Sequence, residues 1–265
     1  MKKAIYYADR ALSFNRKNMQ ALEIMAVASR LGDDSDAELE LLIEIENLDA
    51  INHFVMAERL FLKQTTAENL KSRITNELPA ETYLELAMKY QNYGRSVDAI
   101  EVLKLAPENP MVLLWLAYLN TDRQDEYLQK ALNLSAEMVF PHRLESVDML
   151  SYFIEKDNNW KLKYYLSLIF WNQGLSEQAK DLFVACGKDP DLAIFYLTKA
   201  KLFQNDGNKV DEALNRAMEL EPVSWRTNLA LIERHLKKGE YEPARKIAHK
   251  FVRKHPEKAK FGMSY

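Results

Sequence analysis

The side chains that could do chemistry in this chain are few and scattered. Its five histidines are His53, His142, His235, His249 and His255. No two stand four residues apart, the spacing that turns two imidazoles on one helix face toward a metal, and there is no HExxH. Cys186 is the one cysteine, so neither an intrachain disulfide nor a cysteine metal cluster can form. It has no histidine in sequence reach to activate it and sits at a small-residue packing position, which predicts an inert, buried thiol. His142 lies in the irregular stretch Phe140–Arg143, where a loop histidine bonded to backbone is expected. Carboxylate pairs are abundant, but glutamate-rich helices supply them by chance. None stands in an apolar sequence setting that would split two pKa values for acid–base work. No glycine-rich phosphate loop exists, since Gly174 and Gly187 fall at opposite ends of one helical run. These residues predict no catalytic, metal or cofactor site and no enzyme.

Bulk properties narrow the class. The chain has 265 residues, 48% hydrophobic and 28% charged, enough to bury a core. Net charge is −3, which provides no basic field for nucleic acid. The charge is uneven. Asp33–Asp49 holds eight acids and no Lys or Arg, while Glu233–Lys260 holds ten Lys or Arg against four acids. Such runs are usually solvated helix faces. The C-terminal one also offers a basic patch to an acidic partner, but without interleaved aromatics to stack bases. The longest apolar run, Met111–Leu119, is nine residues, against the roughly 20 a membrane span needs. Asp9 and Arg10 interrupt the N-terminal stretch before a secretory apolar core forms. A cytoplasmic protein without membrane or nucleic-acid partners is expected.

The elements that must position anything functional are helices. Ala4, Ala8 and Ala11 share one face, and period-3.6 patterns predict helices over 20–31, 36–48, 52–63, 67–76, 110–120, 125–138 and 144–155. Thr65 and Glu68 are spaced as a capping box. Helix pairs are expected over Ala80–Ala106, Trp160–Cys186, Leu192–Leu220 and Trp225–Lys254, and the start of another helix over Lys258–Tyr265. A cadence marks these pairs: Gly94 to Ala99, Gly174 to Ala179 and Gly239 to Ala244 are each five apart, and Pro222 to Pro256 is thirty-four. A fixed period of this size marks a stacked repeat. Gly32, Gly94, Gly174, Gly207 and Gly239 each follow a helical run, where a left-handed residue is expected.

The spacing resembles the tetratricopeptide repeat. Tyr83, Leu86, Ala87, Tyr90, Gly94, Ala99, Leu103 and Ala106 match its pattern, as do Leu166, Ser167, Phe170, Gly174, Ala179, Phe183 and Cys186. The pattern departs at Lys163, Lys199, Val210, His235, Ala248 and Phe251. The resemblance implies an all-α fold, a right-handed superhelix (α-solenoid) of helix pairs, with the first helix of each pair lining a concave groove. Residues off the packing stripe would then face a protein or peptide partner: Glu81, Leu84, Met88 and Gln91; Tyr164, Leu168, Trp171 and Asn172; Leu197 and Lys201; Arg226, Glu233 and Lys237. Trp171 and Tyr164 are the expected anchors. Leu84 and Met88, or Tyr164 and Leu168, stand where a chaperone-tail clamp of this repeat type would need Lys and Asn, so no such clamp is expected.

A narrower resemblance concerns the segments LDAINHFVMAERLF, NELPAETYLELAMKY, EVLKLAPENPMVLLWLAYL, MVFPHRLES and KDLFVACGKDPDLAIFYLTKAKLF. They are similar to the helical array of large bacterial proteins of unassigned function that carry an N-terminal β-sandwich like a sugar-mutarotase domain. That likeness implies an accessory array whose carbohydrate-related domain is absent from this sequence and would itself be a partner. The pattern opens inside the second helix of a pair and stops two turns into a first helix, which predicts a piece of a longer solenoid. The blocks read from the cadence are 1–50, an irregular pair over 51–79, 80–156 and 157–265. Exposed solenoid ends would also let two copies form a homodimer.

Overall fold

The computed structural model describes residues 2–254. The helix expected over Lys258–Tyr265, and His255, lie outside them. Among the described residues are sixteen α-helices, one 3-10 turn and no strand. The chain divides into two compact units, Met1–Ala131 and Leu132–Tyr265. The first holds α1 (Lys2–Phe14), α2 (Met19–Leu31), α3 (Ser35–Leu48), α4 (His53–Phe61), α5 (Ala67–Arg73), α6 (Pro79–Asn92), α7 (Ser96–Leu105) and α8 (Pro110–Leu119). A 3-10 turn, Thr121–Arg123, leads into α9 (Gln124–Asn133), which ends just inside the second unit. The second unit continues with α10 (Ser146–Lys156), α11 (Trp160–Asn172), α12 (Ser176–Ala185), α13 (Ala193–Leu202), α14 (Gly207–Leu220), α15 (Trp225–Lys237) and α16 (Tyr241–Lys254).

Packing follows the expected pairs. The closest associations are α2 with α3, α6 with α7, α11 with α12, α13 with α14 and α15 with α16. Each pair then leans on a neighbour, as α14 and α13 both do on α15. A single helix pair cannot bury its own apolar stripe, so stacking completes the core. In the first unit that core includes Leu22, Val27, Ile45, Phe54, Tyr83, Tyr90 and Leu103. In the second it includes Phe153, Leu162, Tyr165, Phe183, Phe195 and Leu214. Ala99 and Ala179 are completely buried, the small residues that let paired backbones approach.

Short polar side chains start the helices. Asn18, Asp34, Asn52, Thr66, Asn109, Asn159 and Asp206 each accept a hydrogen bond from a first-turn N–H. At α5 the cap is Thr66, one residue beyond the expected Thr65; Thr65 accepts from the Asn69 side chain instead. The helix expected to reach Met138 stops at Asn133. Lys161 donates to the carbonyls of Leu132 and Leu134 at 2.7 and 2.6 Å, satisfying that helix end, and Met138 takes a left-handed φ of 58°.

The glycine cadence divides in two. Gly94, Gly174 and Gly239 have φ of 71°, 78° and 75°. Gly32 has φ −91°, and the left-handed residue after α2 is Asp33 at φ 57°. Aspartate tolerates that region better than most residues, so the turn is displaced by one position. Gly207 does not close a helix but opens α14.

Candidate functional site

In the second unit an open groove of about 440 Å³ runs between α13 and α15 over α14. From α13 it takes Ile194, Leu197, Thr198 and Lys201, spaced i, i+3, i+4 and i+7 along one helix face. From α15 it takes Trp225, Leu229 and Ala230, with Arg226, Glu233, Arg234 and Lys237 beside them. Val210 and Leu214 of α14 close the floor, both buried. Thr227, Asn228 and Leu231 are buried on the other side of α15, which fixes the rotation of that helix. Asn228 donates to the carbonyls of Pro222 and Ser224 at 3.1 and 2.8 Å, anchoring its first turn.

The rotation leaves large apolar groups open to solvent. Trp225 is 44% and Leu229 45% exposed. Singly exposed apolar residues are ordinary, but two of them one helical turn apart in a concave surface form a usable stripe. The Arg226 guanidinium lies 5.0 Å from the centre of the Trp225 ring. Among the described residues Lys201, Lys237 and Glu233 make no ion pair.

Arg234 is already committed. It meets Asp211 at 2.8 and 3.3 Å and donates to the Gly207 carbonyl at 3.0 Å, while Lys238 reaches Asp211 at 2.7 Å. The hydrogen bond from Arg234, then that from Lys238, pulls the Asp211 carboxyl down to about 2. Among the described residues the groove therefore presents three cations with no carboxylate partner, Lys201, Arg226 and Lys237, against one unpaired acid, Glu233. It has an apolar floor and a net positive rim.

Five of the thirteen groove positions expected from sequence line this groove: Leu197, Lys201, Arg226, Glu233 and Lys237. Leu168, Trp171 and Asn172 line a different, shallow depression of about 520 Å³ with Phe140, Pro141 and His142. His142 is exposed there, its Nδ1 3.5 Å from the Phe140 carbonyl oxygen, as a loop histidine should be.

Three of the remaining positions, Tyr164, Leu84 and Met88, depart from the expected groove face because they are buried. Tyr164 is 1% exposed, its ring 5.3 Å from Phe195 and 5.7 Å from Phe183. Helix α11 is buried without a break from Leu162 to Ser167, so it has no outward face at Tyr164. Burial pushes the Tyr164 phenol up to about 12. Leu84 and Met88 are likewise buried, because α6 carries core residues around most of its circumference: Tyr83, Leu84, Leu86, Ala87, Met88 and Tyr90. Glu81 and Gln91 are half-buried, and Gln91 accepts a hydrogen bond from Ser96 at 2.7 Å.

Trp225 and Leu229 are not among the positions expected from sequence. The signal was present, since Trp225, Leu229, Glu233 and Lys237 repeat every four residues along one face.

Among the described residues no helix is long and apolar enough to cross a membrane, and no cluster of ligand side chains is arranged for a metal.

No protein-family model matches the chain, and no curated protein does. Solved structures similar to it include MamA, at 19% identity and a TM-score of 0.41, covering 70% of this chain and 97% of that one. A second is TTC0263, described as a thermophilic TPR protein in Thermus thermophilus. It is 18% identical with a TM-score of 0.38, over 68% of this chain and 94% of that one. A third is YrrB, described as a TPR protein with an unusual peptide-binding site, at 13% identity and a TM-score of 0.31, over 84% of this chain and 96% of that one.

Proposed function

We propose that the chain is a non-catalytic interaction scaffold, and that the groove between α13 and α15 takes an acidic amphipathic segment of a protein partner. One observation carries this reading. The exposed Trp225–Leu229 stripe is bordered by Lys201, Arg226 and Lys237, none of which has a carboxylate of its own among the described residues. An apolar floor supplies affinity, and unpaired cations select the sign of the partner and speed its approach. An accessory role beside a carbohydrate-acting β-sandwich has only the short sequence segments quoted above behind it.

The test uses two labelled helical peptides with the same leucine face. One has glutamates on its polar face, the other lysines. Fluorescence anisotropy should show the glutamate peptide binding more tightly, with affinity falling as salt rises. Trp225→Ala or Leu229→Ala should weaken it at least about tenfold, which is ~1.4 kcal/mol. Both side chains are half exposed, so the variants should fold. Equal binding of the two peptides would remove the charge preference; indifference to both substitutions would remove the groove.

A further inference from the structure

The first unit has an interior of a different character. Among the described residues four acidic side chains are buried in it: Glu23 at 2%, Glu38 and Glu58 at 0%, and Asp98 at 5% exposure. Three of them are fully provided for. Glu23 accepts from Lys89 at 2.6 Å and from the Tyr93 hydroxyl at 2.7 Å. Glu58 accepts two bonds from Arg30, at 2.8 and 3.2 Å, and one from the Tyr90 hydroxyl at 2.6 Å. Asp98 accepts from Arg30 at 2.7 Å and from Arg95 at 2.9 Å.

Glu38 is the exception. Both of its carboxyl oxygens are buried and, among the described residues, neither receives a hydrogen bond. Arg30 reaches toward the site from α2, but its Nε and Nη2 are bonded to Glu58 and Asp98. From α4 the charged groups are Glu58, His53 and Arg59; one guanidinium nitrogen of Arg59 is bound to Glu46 at 2.6 Å, while its buried Nε has no partner among the described residues. Beyond Glu58 stand Tyr90 of α6 and Asp98 of α7. The charges of the network therefore close on two guanidiniums, Arg30 and Arg95, against two carboxylates, Glu58 and Asp98. A third carboxylate would be an uncompensated buried charge, which is strongly unfavourable.

A proton resolves the imbalance. A carboxylate has about four acceptor sites, and Glu58 uses three of them. The Glu38 carboxyl lies within hydrogen-bonding reach of the Glu58 side chain, so a protonated Glu38 can donate to the remaining one. Its missing donor is then no defect, because Glu38 is itself the donor.

We propose that Glu38 holds a proton at neutral pH and that this proton latches α3 onto the Arg30–Glu58–Asp98 network, so that α3 opens more readily as the pH rises. The direction of titration agrees. Burial first, and the neighbouring Glu58 carboxylate second, push Glu38 up to about 8, with Arg30 opposing. An opened α3 returns the carboxyl to the ordinary range near 4.5. Folded protein thus binds one proton more than opened protein between those values. The stabilisation is complete below the lower value, falls progressively across the window, and is gone once the pH has climbed through the upper one. Across that window the opening equilibrium should rise about tenfold per pH unit, then level off.

The experiment is hydrogen exchange of α3 amides on the full chain from pH 6 to 9, corrected for intrinsic exchange, for wild type and Glu38→Gln. Wild type should gain opening about tenfold per unit up to roughly pH 8, while Glu38→Gln should be pH-independent. The same pH response in both proteins overturns the proposal. Infrared difference spectroscopy of the wild type keeps the test independent of how the variant folds. A protonated carboxyl band at pH 7 that vanishes by pH 9.5 supports the latch, and no such band at pH 7 overturns it.

Discussion

Arg30→Met tests how much of the first unit's stability passes through one guanidinium. Arg30 binds Glu58 and Asp98 together, and its side chain is only 14% exposed. It also lies 4.8 Å from the centre of the Phe61 ring. Burial works against its charge, but the hydrogen bonds to Glu58 and then Asp98 outweigh it and hold its pKa above the ordinary value. Methionine keeps much of the apolar stem but not the guanidinium over Phe61, so the loss reads the charged group as a whole. With the guanidinium gone, Asp98 would keep Arg95 and Glu58 would keep only the Tyr90 hydroxyl, with no cation bonded to it. Breaking a buried ion pair from one side costs about 3–5 kcal/mol. For a chain of this size that is a fall in Tm of roughly 10 °C.

Thermal and urea unfolding at pH 7, followed by far-UV circular dichroism, measure it. The decisive comparison is the double variant R30M/E58Q. It removes the orphaned charge while leaving an acceptor for the Tyr90 hydroxyl, so it should be more stable than R30M alone. A loss below about 1 kcal/mol in R30M would refute the reasoning, since that is the value of an exposed pair. A double variant less stable than R30M would refute it as well.

Two other substitutions or probes read local features. Gly174→Ala should cost about 1 kcal/mol, because Gly174 has φ 78° with nothing near an added Cβ; Gly32→Ala, at φ −91° with carbonyls 3.5 Å away, should be neutral or slightly stabilising. Paired denaturation curves decide, and equal losses would show that backbone handedness is not the cause. Cys186 is 2% exposed, its thiol bonded to the Leu182 carbonyl at 3.2 Å and pushed up to about 12 by burial. It should ignore an aromatic disulfide reagent at pH 8 in the native protein and react fully in urea, with fast native labelling as the contrary result.

The helix pairs were legible because their signal is local. Ala99 and Ala179 stand where paired backbones meet, and each is announced by a glycine five residues before it. The groove was half legible. A periodic template places Arg226, Glu233 and Lys237 on an outward face because α15 is covered on one side only. It fails at Leu84, Met88 and Tyr164 because α6 and α11 are buried around most of their circumference, which no single helix pattern reveals. The buried network was not legible at all. Glu38 sits in an acidic run that reads as a solvated face, and Glu58 and Asp98 look like ordinary helix acids. Their convergence depends on contacts between residues 28 and 68 positions apart in the chain.

The reach of those contacts bears on how this stack could change over time. In an ordinary helical repeat each pair touches only the next, so pairs can be duplicated, deleted or exchanged like beads. Here Arg30, in the α2–α3 pair, bonds Asp98 in the α6–α7 pair, and Glu23 of α2 holds Lys89 and Tyr93 across the same gap, with α4 and α5 between. The coupling is next-nearest-neighbour. Any inserted or lost pair between α3 and α6 would separate partners that cannot be satisfied singly. The opening block is therefore indivisible, and its length in repeats is set by charge pairing as firmly as by shape.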